Sequence, residues 1–432
     1  MEQSLIAAVS GIEANQTYLN VIGNNIANSD TTGYKAENPV FTDLLAEQIA
    51  GASAPTAGQS AGVDPIAVGA GVRVGAVTND QSQGAIQQTN QPTDVAIQGA
   101  GFLIAAQQGQ QYYTRAGNLT LDANGDLATP TGALIQGWQA NGQGVIDTNA
   151  PTGTVKIPSG QVMSAQATTS FTMGGNLPAW SGNGTPPTVT TTLNGFDSLG
   201  NTVPVTLTFS AVANTANEWT VQGTVPNGAG TSTLWTTAPT ITFSPTTGEI
   251  AGISGVSANS DGSFTLPVTT MPPGFTFPAG DTWTVGFPTP GSSTAVTQFG
   301  GEQTAQLVSQ NGNAAGTLGS FTIGGDGIIR GAFSNGLTEP IAQLALATFS
   351  NPTGLIDNGN LNYSASANSG PPAIGTSGTG GRGTFLGGAL EGSNVDLATE
   401  LTDMIQAQEA YQADTKVVST TSAALQALVQ MQ

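Results

Sequence analysis

The chain has 432 residues, 38% of them hydrophobic, with 59 glycines and 24 prolines; that length suggests about three domains with enough apolar material for real cores. Only 8% of residues are charged, the net charge is −20, and the seven basic residues (Lys35, Arg73, Arg115, Lys156, Arg330, Arg382, Lys416) are scattered, which speaks against binding a run of phosphates in nucleic acid. Cysteine and histidine are absent, which removes disulfides, thiol nucleophiles, Cys/His zinc sites and imidazole acid–base chemistry.

The first predicted element is a helix over residues 3–28. Leu5, Ile12, Leu19 and Ile26 recur every seven residues, and Val9 and Ile22 widen the stripe. A sustained seven-residue period marks a coiled-coil seam. The alternate positions include Gln16 and Gly23, too polar or too small for a strong autonomous pair, so this arm is expected to be weakly ordered alone and to fold against partners. The opening MEQSLIAAVSGIEANQ has no basic leader and only a short apolar run, unlike a secretory signal. No stretch approaches about 18 apolar residues, so no membrane insertion is expected.

Residues 51–70, rich in Gly, Ala and Ser, read as a linker. From about 70 to 385 the chain reads as β. Val203, Val205, Leu207 and Phe209 alternate with Pro204, Thr206 and Thr208, and the alternation recurs at Trp219, Val221, Gly223, Val225 and at Trp283, Val285, Phe287. Period two with threonine outward predicts strands with one buried face. Asn124-Gly125, Asn194-Gly195, Asp261-Gly262, Asp326-Gly327 and Asn335-Gly336 are turn signals. Pro, Gly and Ser enrichment near 150–160 and 290–300 suggests that 150–297 is a β domain inserted into another. Residues 366–383 form a second weak stretch before a C-terminal helix over 395–430. There Leu397, Met404, Tyr411, Val418 and Leu425 repeat the seven-residue row, with Leu401 and Val429 four residues beyond it. The two helices either pack on each other within one chain or wait for neighbouring copies. Their place at opposite ends of a β-rich middle favours assembly.

The candidate chemical motifs are weak. Asp122-Ala123-Asn124-Gly125-Asp126 starts like a calcium loop, but Leu127 and Ala133 stand where such a loop needs Gly and Glu; an Asx turn is expected. Gly378-Thr379-Gly380-Gly381-Arg382-Gly383 spells a dinucleotide fingerprint without the strand before it or the helix after it, and reads as a flexible linker. Asp197, Asp281, Glu339 and Asp357 are carboxylates beside turn residues, where acids are common, rather than a hydrolytic pair. Asn15-Gln16-Thr17 and Asn118-Leu119-Thr120 match the glycosylation triplet by chance in a chain rich in Asn and Thr. No cofactor and no metal is expected, and no enzyme.

Residues 10–35, with Asn24-Asn25-Ile26-Ala27-Asn28 and Thr32-Gly33-Tyr34-Lys35, resemble the N-terminal signature of bacterial flagellar rod and hook proteins, and 390–425 resemble the C-terminal signature of the same axial family. Residues 94–138, 297–303 and 318–355 resemble the family's shared β domain, and Phe196-Asp197-Ser198-Leu199-Gly200-Asn201 resembles the start of the domain specific to hook members. Tyr34 and Leu103 stand where Phe is common, both mild departures.

The resemblance implies a mainly β, multi-domain protein with terminal coiled-coil arms. The implied layout is 1–30 with 395–432 as paired helices of an inner tube, 31–70 with 384–394 as connectors, 71–149 with 298–383 as the shared β domain, and 150–297 as the inserted outer domain. It further implies a self-assembling tube that bends while carrying motor torque, with other copies, rod, cap and hook–filament junction proteins as partners. Delivery outside the cell through the flagellar type III export apparatus, without signal cleavage, is implied too. Leu5, Ile12, Leu19 and Ile26 are expected to bury one seam and Leu397, Met404, Tyr411, Val418 and Leu425 the other, with Leu401 beside that row as a further self-assembly residue, while Asn24, Asn25 and Asn28 cap the first helix or bond neighbours. A distal rod protein is the near alternative, disfavoured by the insertion. A secreted β-rich adhesin or fibre is the alternative from another class.

Overall fold

The computed structural model describes residues 2–52, 62, 64–142, 144–158, 160–227, 230–273, 275–277 and 282–430. Two helices close the chain at its ends: α1 (Glu2–Ala27) and α2 (Leu397–Gln430). α1 stops at its asparagines. Asn28 donates its backbone N–H to Asn24 O at 3.1 Å, and its side-chain amide to the same carbonyl at 2.9 Å, so carbonyls left open by the last turn are satisfied. α2 starts at Asp396, whose carboxylate accepts from Ala398 N at 2.9 Å and from Thr399 Oγ1 at 3.2 Å. These bonds hold the Asp396 carboxyl below its ordinary range. Toward its end the hydroxyls of Thr415, Ser419, Thr420 and Thr421 bond back to carbonyls one turn earlier, a habit that slightly weakens a helix.

The chain divides into two compact units, 1–159 with 320–331 and 339–432, and 160–319 with 332–338. In the first unit, residues 31–70 carry more than a connector. Glu37–Asp43 pairs antiparallel with Val72–Asn79, and Glu47–Ala50 with Ile66–Val68. The middle of the expected 51–70 linker, residues 53–61 and 63, lies outside the described residues. Val95–Gln98 pairs with Thr384–Gly387 and Ile86–Gln88 with Ala389–Glu391, so the strands leading into α2 are zipped to the N-terminal half. The main sheet of this unit is built on the hairpin Phe102–Gln107 and Gln110–Thr114. Its turn is Gln108-Gly109, both at positive φ (52° and 81°), the geometry that matches strand twist across a two-residue loop. Leu134–Gln139 and Leu346–Thr348 flank Phe102–Gln107. Phe102, Tyr113, Phe349 and Tyr363 meet edge to face behind the sheet at 4.8–6.0 Å.

The second unit has two sheets. One runs Thr188–Phe196, Thr202–Ala211, Glu218–Asn227, Thr240–Phe243, Ile250–Ile253; the other runs Phe264–Pro267, Thr284–Phe287, Ser170–Pro178, Val296–Phe299. The alternation read from the sequence is the burial pattern found: Val203, Val205, Leu207 and Phe209 are buried, and Thr206 and Thr208 are not. Side chains of both sheets share one core, with Trp180, Trp219, Trp235 and Trp283 in it.

Two expectations are corrected here. Asn194-Gly195 is not a turn but the interior of Thr188–Phe196; the turn comes at Asp197–Asn201, where the Asp197 carboxylate accepts from Leu199 N, Asn201 N and the Asn201 amide at 2.7–3.0 Å. Gly195 is needed for packing, since a Cβ there would stand 3.0 Å from the Phe171 ring. The stretch 366–383 is not a bare linker: Ala373–Gly375 is a strand, and the glycine run closes on itself through Gly378 N to Gly383 O at 2.9 Å and Arg382 to Thr379 O at 3.0 Å.

Candidate assembly site at the helix junction

α1 and α2 pack on each other, but on faces rotated from the predicted rows. Among the described residues, the buried side chains of α1 are Ala8, Ala14, Val21, Ile22 and Asn25, and those of α2 are Glu400, Ala407 and Thr421. Small residues let the helix axes approach, and polar ones then need partners. Asn15 donates to the Asp414 carboxylate at 3.1 Å, and a Cβ on Gly11 would collide with that carboxylate. The predicted row Leu5, Ile12, Leu19, Ile26 is half-buried, as are Met404, Tyr411 and Val418. Leu397, Leu401 and Leu425 are not buried: they are 46%, 52% and 38% exposed, and Ile405 is 58% exposed. The apolar residues of α2 split into two stripes. α1 covers the edge of the first, and Leu397, Leu401 and Ile405, spaced by four, form a second that faces outward.

At the C-terminal end of α1 the three signature asparagines take different tasks. Asn25 is 1% exposed. Its carbonyl oxygen accepts from Tyr34 Oη at 3.0 Å and Glu37 N at 2.9 Å, while its amide donates to Glu37 O and to Glu400 Oε1, both at 2.9 Å. One side chain thus uses all its bonding capacity to join α1, the following segment and α2. Asn24 donates to Tyr34 Oη at 3.2 Å, and Asn28 is the cap described above. Burial pushes the Glu400 carboxyl above its ordinary range, against the pull of the Asn25 hydrogen bond and with help from Asp403 and Asp396. Burial also pushes Glu37 up, with Asp357 adding to it. The Tyr18 hydroxyl, desolvated and bonded to Asp403, is pushed up to about 12.

Deeper in the same unit lies an ion cluster that sequence reasoning missed. Glu391, just before α2, accepts from Lys35 Nζ at 2.6 Å and from Arg115 Nη1 at 3.2 Å, with both Lys35 and Glu391 side chains fully buried. Lys35 Nζ also donates to Ser82 O at 2.6 Å, Gly84 N donates to Glu391 Oε1 at 3.0 Å, and Arg115 Nη2 donates to Gly99 O at 2.9 Å. Asn394 bridges the same segments, accepting from Ala36 N at 2.7 Å and donating to Asp80 O at 2.9 Å. Burial lowers the Lys35 ammonium below its ordinary range, opposed by Glu391. A charge buried like this is tolerated only when its partners are complete. The cluster fixes where both helices leave the β unit. Its signal in the sequence is scarcity: Lys35 and Arg115 are two of only seven basic residues, and a chain so short of cations has few to spare for the inside.

Of the acids weighed as catalytic, Asp197 and Asp357 hold turns. Asp197 shapes its turn; burial raises its carboxyl, but the Asn201 side chain and the backbone N–H groups of Asn201, Thr276 and Leu199 more than offset this and hold it below the usual range. Asp122 accepts from Asn124 N and Asp126 N at 2.8 and 2.7 Å in an Asx turn. Asp357 accepts from Gly359 N at 2.7 Å. Glu339 lies at the start of the strand Thr338–Leu344, and Asp281 lies outside the described residues. Among the described residues, no group of three or more acids is placed to hold a metal ion, and no helix is long and apolar enough to cross a membrane.

Four family models match the chain. Residues 5–35 match "Flagella basal body rod protein", 96–177 "Flagellar hook protein FlgE/F/G D1 domain", 185–313 "Flagellar basal body protein FlaE D2 domain", and 386–431 "Flagellar basal body rod FlgEFG protein C-terminal". Among curated proteins, the flagellar hook proteins FlgE of Treponema pallidum and Borreliella burgdorferi are each 34% identical over the whole of both chains. That of Escherichia coli is 32% identical over 98% of each. The crystal structure of the Helicobacter pylori flagellar hook protein FlgE2 covers 69% of this chain and 98% of its own, with a TM-score of 0.50 at 14% identity, a likeness of fold.

Proposed function

The chain belongs to the flagellar hook protein family, whose members are structural subunits of the bacterial flagellar hook, and from that premise we propose how its parts divide the work. The terminal helices carry polymerisation and line the inner tube. The shared β domain forms the next shell and the inserted domain the outer surface. The polymer bends while transmitting torque from rod to filament. The subunit is exported through the flagellar type III apparatus with its N-terminus intact, and meets rod, cap and junction proteins at the ends of the hook. Its role is mechanical and not catalytic.

One observation carries this reading: the stripe Leu397, Leu401, Ile405. Three large apolar side chains, spaced by one helical turn each, are left exposed by α1, the only other α-helix among the described residues. Yet α2, which carries the stripe, is anchored at its start by the buried Asn25–Glu400 hydrogen bond and, just before it, by the ion pairs of Glu391. An apolar face held rigid and left uncovered is a surface for another copy. The charge-poor exterior suits the bending role, because neighbouring subunits slide without breaking ion pairs. The test replaces Leu401 and Ile405 together by Asn. The folded subunit is expected to keep its helix content by circular dichroism and to lose tube formation under conditions in which the parent assembles. Tubes of normal length and number from the double variant contradict the assignment of this stripe.

A further inference from the structure

Beside the ion cluster is a cavity of about 250 Å³, bounded by Gln81, Gln83, Phe102, Arg115 and Phe349 among others. Gln83 at its rim is exposed, whereas Phe102 and Arg115 are buried. Two buried polar atoms of this lining have no partner among the described residues: Arg115 Nε and Gln81 Oε1. Arg115 Nη1 and Nη2 donate to Glu391 and Gly99 O, and the guanidinium lies over the Phe102 ring at 5.4 Å. Gln83 is held toward the neighbouring strand, where its amide donates to Ile97 O at 2.8 Å and accepts from Gly99 N at 3.1 Å. Buried polar atoms in folded proteins are almost always paired, so two orphans in one cavity need an explanation.

One donor and one acceptor between aromatic walls complement a primary amide. Its carbonyl accepts from Arg115 Nε–H, and its NH₂ donates to Gln81 Oε1. A carboxylate satisfies the arginine but sets its lone pairs against Gln81 Oε1. The chain itself is the natural source, because its Asn and Gln side chains outnumber its 27 acids and cover a surface nearly bare of charge. In a homopolymer, the surface that faces each copy is another copy. We propose that this cavity receives an Asn or Gln side chain from a neighbouring copy of the chain. The identity of the donor rests on the assembly reading above; the amide site itself does not.

The test uses the full chain with ¹⁵N-labelled arginine. On soluble subunit, acetamide is expected to shift the Arg115 Nε–H resonance saturably, acetate is expected not to, and Gln81→Leu is expected to abolish the response. A shift with acetate alone makes this a carboxylate site and overturns the proposal. No shift with either means that water alone fills the cavity, and overturns it too. In polymerisation, Gln81→Leu is expected to leave the melting temperature unchanged and to raise the critical concentration about tenfold. An unchanged critical concentration in a variant that no longer responds to acetamide removes the neighbouring copy as donor. If the parent never polymerises yet responds to acetamide, the amide site stands, and the second-copy donor falls together with the assembly reading.

Discussion

The helical ends and the inserted β unit solve the problem of stability in opposite ways. In the second unit, large apolar side chains from two sheets meet in one core: Trp219, Val221, Phe209 and Leu207 from one, Phe171, Trp283 and Phe287 from the other. It is complete in itself. At the ends, the buried side chains are mostly small or polar, Ala8, Ala14, Asn25, Glu400, Ala407 and Thr421 beside Val21 and Ile22, while Ile6, Val9, Leu397, Leu401 and Ile405 are exposed. There part of the large apolar material is on the wrong side for a monomer and the right side for a polymer. On the proposed assembly reading, the chain keeps folding energy in the second core and assembly energy at its helical ends, and a small polar lock within the first unit holds those ends to its β strands.

The largest effect is expected at that lock. Glu391→Ala strands Lys35 and Arg115 as unpaired buried cations, and should cost about 3–5 kcal/mol. Chemical denaturation followed by helix content should show the loss, with tryptophan fluorescence of the second unit little changed, since all five tryptophans but Trp138 lie there. Leu207→Ala, which empties part of the second core, should cost about 2–5 kcal/mol. Its signature is the reverse: tryptophan fluorescence moves and helix content does not. If both variants lower both signals together, the two regions are one cooperative unit and the comparison fails.

A smaller effect separates folding from assembly. Leu397→Ala lies on the exposed stripe and should change subunit stability by no more than about 0.5 kcal/mol, while reducing polymer yield. A loss of subunit stability comparable to that of Leu207→Ala would mean that the stripe is covered within the chain. The smallest effect is in pH. Glu400 is raised by burial. A carboxyl raised in the folded state adds stability below its unfolded value near 4.5, and that contribution is lost as pH rises through the raised value. Asp396 is depressed, so its contribution fades only as pH falls below 3.8 toward the lowered value. Lowering the pH from neutral toward about 5 should therefore tighten the helix junction, read as slower hydrogen exchange in the first turn of α2. Glu400→Gln should flatten that dependence.

Much of this is legible in the sequence. The two helices announce themselves by period, and the strands around Val205 and Val221 by alternation, because both signals come from one buried face repeating at the element's own pitch. The orientation of the helix seam was not legible. α2 carries two apolar stripes, Met404/Tyr411/Val418 and Leu397/Leu401/Ile405, and periodicity alone cannot say which one the same chain covers. Glu400 and Glu391, and the partners of Asn25, were not legible for a different reason. A buried polar residue is justified by its partners, and these partners come from positions up to 375 residues away. Asn194-Gly195 misled because the dipeptide permits a turn without requiring one, and the packing of Phe171 against Gly195 decided it.

The most direct test of the division between folding and assembly is a chain trimmed to residues 29–396. It keeps Lys35, Arg115 and Glu391 together and removes only the two helices. Electron microscopy and denaturation should be run beside the full chain. The account predicts tubes from the full chain alone, and a trimmed chain that stays monomeric with an unchanged second-unit transition. Tubes or fibres from the trimmed chain would contradict it, because assembly would then reside in the β units.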